Sequence, residues 1–414
     1  MKKKIQKKNT QQIKMEQAHQ KNLYLKKIKS MMGIMGSESA YDLIDPLTID
    51  TIYHFRLHPI KMKSLVYNNA TIPVKELEKL NESLKILLKE AYINLGINKT
   101  PVSIYDFYIY IETIYILWRN ASKINFPNCE KFKELLPAFK DNYKQIRENA
   151  HELVETNVNL ISWMYSDILS QIIWMKHDSD RKQSNPLDNS AFYNNYYIQI
   201  EKPETLSIEI DSNKRNIYRL GISLPLNGIT WLTTTPKNLG VKGILNRFSL
   251  KIYIQQHAIE RMKERLGDRF DHFSYFLIIS AILANDVHQS DDGSFMFALN
   301  YMAVKVGYLK ADIVDNKLLI RTFLFVTNNG TPEGKKLADL LGVQKEDKKY
   351  LGIDKLNMFI NSDIEEDEKL KQIFCQIGCE GLFSLKKHLK NDQDNIVHCA
   401  NYISQYLGLE NVKE

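Results

Sequence analysis

Cysteine is scarce: four residues among 414, at Cys129, Cys375, Cys379 and Cys399. So few cannot frame a disulfide-stapled fold, and they fit a reducing compartment. Long apolar runs are also missing. The longest uncharged apolar stretch, FSYFLIISAILA at 273–284, has twelve residues, short of the roughly 18–20 a membrane helix requires, and it reads as a buried helix. The opening residues are too polar for a secretory leader, so a cytoplasmic protein with no membrane partner is expected. Acids and aromatics are nearly absent from residues 1–30, where ten lysines face only Glu16. The net charge of +7 is therefore concentrated in this arm and the remainder is weakly acidic. An arm of this composition is expected to be mobile and solubilising, with salt-sensitive attraction to nucleic acid.

With 44% hydrophobic and 25% charged residues, the rest is an ordinary globular chain, long enough for two or three folding units. Apolar positions recur at three and four residues through VKELEKLNESLKILLKEAYINLG, PVSIYDFYIYIETIYILW and VNLISWMYSDILSQIIWMK, so 31–176 reads as a helical domain. The polar HDSDRKQSNPLDNS (177–190) reads as a linker. Short alternating runs follow, among them LSIEI, SLKIYIQ, SFMFALN and KLLIRTFLFVT, with a DN hairpin turn at 315–316. Residues 191–334 are therefore expected to form one α+β domain with a mainly antiparallel sheet, and 335–414 a helical C-terminal region.

One short stretch concentrates polar chemistry. HAIERMKERLG (257–267) directly follows a strand. On a helical wheel His257, Arg261 and Arg265 fall at about 0°, 40° and 80°, beside an apolar face of Ala258, Ile259, Met262 and Leu266. Two readings stand. Arg261 with Glu264 at i,i+3 suits a solvated, ion-paired face, whereas the like-charge i,i+4 pairs Arg261/Arg265 and Glu260/Glu264 suit a row of cations kept for a ligand.

The His-Ala-x-x-Arg-x-x-x-Arg pattern of His257, Ala258, Arg261 and Arg265, with LLIRTFLFVTNNGTPEG as a late strand ending in a polar turn, resembles RelE-like and BrnT-like toxin domains of the barnase/EndoU/RelE ribonuclease class. The resemblance covers about residues 245–335 and implies a RelE/barnase-like helix–sheet core, embedded here in a longer chain than such toxins have. It implies a metal-independent endoribonuclease of toxin or defence type, with RNA as partner and a protein antitoxin as a further one. His257, Arg261 and Arg265 would then be catalytic: a histidine ordinarily titrates near neutrality and serves as acid or base, and arginines fork onto phosphate. Arg321, Thr327 and Lys263 would contact substrate. The rival expectation is a non-enzymatic nucleic-acid or protein interaction module of a mobile element or phage-defence system. Neither reading calls for a cofactor or a metal. Cys375 and Cys379 with His388, His398 and Cys399 lack a compact second ligand pair, AFYNNYYIQI reads as sheet surface, and TNNGTPEG has no Walker lysine.

Overall fold

The computed structural model describes residues 10–54, 56–64, 72–95, 100–177, 195–210, 212–224, 228–241, 248–390 and 396–409. The architecture is α+β, with N-terminal helices, a central mixed sheet and C-terminal helices. The chain forms two compact units, one of residues 1–161 and 175–199, the other of 162–174 and 200–414.

The first unit is mainly helical. Helices α1 (Thr10–Ile34), α2 (Pro46–His54), α3 (Val74–Glu90), α4 (Glu112–Ile124) and α5 (Tyr143–Met164) bury stripes at helical spacing, such as Leu80, Leu84 and Leu88 on α3. The expected basic arm is thus helical from Thr10, and its Tyr24 and Ile28 are buried; residues 1–9 lie outside the described residues. A single π-helical turn, Phe107–Ile111, leads into α4. Three strands, β1 (Lys61–Ser64), β2 (Ile172–His177) and β3 (Asn195–Glu201), form a small sheet in the order β1-β3-β2.

Strand β2 corrects the expectation of helix through residue 176. Asp167 ends the helix by accepting from the Leu169 backbone N–H (3.0 Å) and the Ser170 hydroxyl (2.8 Å). That local capture competes with helical bonding, and the β-branched pair Ile172 and Ile173 then continues as strand. The expected linker at 177–190 lies, from residue 178 on, outside the described residues.

The second unit is built on strands β4 (Thr205–Ile210), β5 (Asn213–Arg219), β6 (Leu250–Gln255), β7 (Val287–Gln289), β8 (Phe295–Tyr301), β9 (Val304–Val314) and β10 (Lys317–Phe325). They lie in the order β7-β8-β9-β10-β6-β5-β4. Among the described pairings of this sheet only β6 with β10 is parallel. The β9–β10 turn has Asp315 and Asn316 at φ 45° and 58°, the doubly left-handed geometry that favours Asp and Asn in a two-residue hairpin.

Helices α6 (Gln256–Leu266) and α7 (Ser274–Ala284) cover one face of this sheet. Alternation decides which strand residues meet them: Ile252, Ile254, Leu318 and Ile320 join that core, while Tyr253, Ile217 and Leu319 form a small cluster on the other face. Ile259, Met262 and Leu266 hold α6 to the sheet, at roughly 1.5–3 kcal/mol for each fully buried large side chain. The C-terminal helices are not a separate layer. Leu356, Phe359, Phe374, Leu382 and Ile403 belong to the same apolar core as the sheet.

Candidate phosphate-binding cleft

Strand β6 ends where α6 begins, and the junction residue is Gln255. It is the N-cap of α6, yet its side chain caps nothing. The pairing of Ile254 with Ile320 across the parallel strands sets the next residues, Gln255 and Arg321, side by side on the face away from α6 and α7. On the opposite flank Gln255 pairs with Ile217 of β5. Arg215 lies two residues further along that strand and therefore on the same face.

A β-bulge then widens the set of side chains aimed at this point. Thr322 pairs with Lys310 and Ile320 with Ala311, so Arg321 is the extra residue on β10. Bulges bend the strand and re-aim side chains, which explains how adjacent Arg321 and Thr322 both line one cleft. Lys310 and Asp312 of β9, alternate residues of one strand face, complete the wall with Asp292 from the β7–β8 turn. The cleft has a volume of 710 Å³, and His257, in the first turn of α6, stands at its edge.

Its electrostatics favour an anion. Three cations, Arg215, Lys310 and Arg321, face two carboxylates, Asp292 and Asp312. Lys310 pairs with Asp292, and Arg321 with Asp312 at 3.3 Å, whereas Arg215 has no carboxylate partner among the described residues. The Lys310 ammonium, joined by the Ser294 hydroxyl and backbone N–H, holds the Asp292 carboxyl far below the usual carboxylate range. Asp292 therefore stays ionised and positions Lys310. His257 brings the first turn of α6 to the cleft. Gln255 adds a polar group: it is 5% exposed, and among the described residues its Nε2 has no hydrogen-bond partner. A buried orphan donor costs about 1–3 kcal/mol, and a ligand acceptor in the cleft would satisfy it.

Of the side chains expected at the site, the structure brings together His257 and Arg321 and separates the others. Arg261 is on the exposed flank of α6 and donates to Glu264 at 2.6 Å. Lys263 pairs with Asp271 at 3.4 Å. Arg265 is committed to Asp354, with Glu264 at 3.6 Å. Thr327 is fully buried and donates to the Ile353 carbonyl at 2.7 Å, which removes it from any substrate surface. The wheel reports angle but not rise: eight residues at 1.5 Å each put Arg265 about 12 Å along the axis from His257.

Arg215, Gln255, Lys310 and Asp312 escaped the sequence reading. A signal was present, since Lys310 and Asp312 interrupt an interior strand at alternate positions, and Gln255 ends an otherwise apolar one. Knowing that these strands are neighbours requires the register.

Of AFYNNYYIQI, residues 191–194 lie outside the described residues, and parts of the other motifs have structural partners. In TNNGTPEG, Thr331 caps helix α8 (Pro332–Leu341) by accepting from the Gly334 N–H at 3.0 Å. His398 pairs with Asp363, and Cys399 lies 3.5 Å from the Met358 sulfur. Among the described residues no three His, Cys, Asp or Glu side chains group as a metal site.

The chain matches no known protein-family model, no curated protein and no solved structure.

Proposed function

We propose that the cleft binds the phosphodiester backbone of RNA and cleaves it, making the chain a metal-independent endoribonuclease of toxin or defence type. The observation that carries the reading is the Gln255 Nε2, which has no partner among the described residues and lines one cleft with Arg215, Lys310 and Arg321. Amide, guanidinium and ammonium groups share one natural ligand class, an oxyanion. In the proposed reaction a 2′-hydroxyl loses its proton to Asp312 and attacks the adjacent phosphorus. Lys310 and Arg321 offset the charge gathering on the phosphorane oxygens, and His257 protonates the departing 5′-oxygen. The products are a 2′,3′-cyclic phosphate and a 5′-hydroxyl. Arg261, Arg265, Lys263 and Thr327 have no part in it.

The carboxylates already paired to Lys310 and Arg321 favour a second reading, a cleft that holds RNA without turning it over. One experiment separates the two. Incubation of end-labelled RNA with the full chain should yield cyclic-phosphate ends, and a 2′-deoxy linkage at the cut position should block cleavage. His257→Ala should lower the rate about 100-fold or more while RNA still binds. Binding without cleavage by the unaltered chain establishes the scaffold reading, and neither binding nor cleavage defeats both.

A further inference from the structure

The first unit holds a second cavity, independent of the cleft. Its volume is 370 Å³, within the range of about 300–1,000 Å³ typical of small-ligand sites. Two tyrosines form its walls. Tyr108 belongs to the π-helical turn and Tyr196 to β3. A π-turn inserts one residue into helical spacing, and such turns recur at functional sites. Burial pushes both phenol groups well above the ordinary tyrosine range, so their hydroxyls remain neutral. Ile60 and Val154 contribute the apolar remainder.

The rim carries both signs of charge, Glu148 beside three basic side chains, and His151 lies 3.2 Å from Glu155. Lys144, Arg147 and His151 of α5 line the cavity at spacings of three and four residues, which puts them along one helix face. Lys144 is 93% exposed and only loosely paired with Glu148, at 3.9 Å. Arg147 gives its Nε to the buried Glu112 at 2.9 Å, yet its side chain remains 57% exposed. The Glu112 contact, shared with the Tyr143 hydroxyl at 3.0 Å, fixes the guanidinium at the cavity mouth. Two tyrosines, of which Tyr196 is 2% exposed, beside a basic row on α5 in one cavity match a flat ring carrying a phosphate, whereas an aliphatic anion would use the basic row alone.

We propose that this cavity binds a nucleoside monophosphate, base between Tyr108 and Tyr196 and phosphate against Lys144, Arg147 and His151. Its source is either a free nucleotide or the phosphorylated end of an RNA. Base stacking on an aromatic side chain gives affinity with little base preference, so all four ribonucleoside monophosphates should bind comparably.

Calorimetric titration of the full chain with AMP, GMP, CMP and UMP tests this, with adenosine, inorganic phosphate and palmitate as comparison probes. Saturable binding of the monophosphates is expected, at least about 10-fold tighter than adenosine or phosphate. Tyr108→Leu should weaken AMP about 10-fold, the loss of one base stack, and Lys144→Glu by a similar factor. Lys144 is exposed enough that its replacement leaves the fold intact, which protects the test against a misfolded Tyr108 variant. Lys310→Ala, in the other unit, should leave AMP binding unchanged, so a failed cleft and a failed cavity are distinguishable. A 5′-phosphorylated oligoribonucleotide that competes with AMP, where its 5′-hydroxyl counterpart does not, assigns the site to RNA ends; competition by neither assigns it to free nucleotides. The proposal is overturned if no monophosphate binds, if palmitate binds in preference, or if neither variant alters AMP affinity.

Discussion

Arg265 donates to Asp354 in an ion pair whose side chains are only 11% and 8% exposed. The pair divides helix α6 into two ends with different work. At the C-terminal end a cation is spent on holding the helix to the segment before α9 (Leu356–Asn361); at the N-terminal end His257 and the junction Gln255 face an open cleft. Removing one member of a buried pair strands the other charge, at about 3–5 kcal/mol. Arg265→Ala and Asp354→Ala should each lower stability by that order in chemical denaturation. An Arg265→Met, Asp354→Leu double variant should recover most of the loss. RNA binding by the folded double variant should match that of the unaltered chain.

Thr327 yields a prediction of the same kind. Its hydroxyl donates to the Ile353 carbonyl in a fully buried setting. Thr327→Val preserves shape, removes the donor and leaves a buried carbonyl, so a loss of about 1–3 kcal/mol is expected. RNA cleavage should be unchanged at temperatures where the variant is folded. Lost activity without lost stability would return Thr327 to the site.

Lys348 supplies a pH signature. It is 1% exposed, donates to the Gly334 carbonyl at 2.6 Å, and burial pulls its pKa from 10.5 down to about 8. Between those values the unfolded chain holds a proton that the folded chain lacks, so this residue makes stability rise with pH from about 8 to 10.5 and leaves it flat below. Lys348→Met should abolish that increment and raise stability at pH 7 by about 1–3 kcal/mol. Denaturant midpoints of the two proteins at pH 7, 8.5 and 10 check it; a constant difference across the three pH values contradicts it.

The basic N-terminus now divides at Thr10. Starting the chain at Met31 would remove the buried Tyr24 and Ile28 of α1 and should destabilise the first unit. Starting it at Thr10 removes Lys2, Lys3, Lys4, Lys7 and Lys8 and spares that core. The shorter deletion should leave the melting temperature in place while reducing the salt slope of RNA affinity, through fewer counterions released. Equal slopes for the two chains would show that these lysines do not touch RNA.

Local pattern carried much of the fold. The apolar face assigned to α6, Ala258, Ile259, Met262 and Leu266, is the face that is buried, and 274–284 is a buried helix because it is apolar all round. Strand β2 was misread since Ile172 to Met175 is apolar enough for a buried helix, and only the Asp167 capture distinguishes the two. The candidate cleft was legible in part: His257 and Arg321 line it, whereas the arginines of α6 share an angle but not a height on the helix, and Lys310, Arg215 and Gln255 become neighbours through pairings between strands far apart in sequence.

The central claim is that Gln255 is kept unsatisfied for a phosphate oxygen, and Gln255→Met tests it without altering charge. RNA affinity and denaturant stability should be measured on the same preparations, with Arg261→Ala as the control on the exposed flank of α6. The account predicts RNA binding weakened about 10- to 150-fold, the worth of one hydrogen bond to a charged acceptor, together with unchanged or higher stability because a buried orphan donor is gone. Arg261→Ala should alter RNA affinity little. Unchanged RNA affinity combined with lower stability for Gln255→Met would make the amide a structural group and contradict the account.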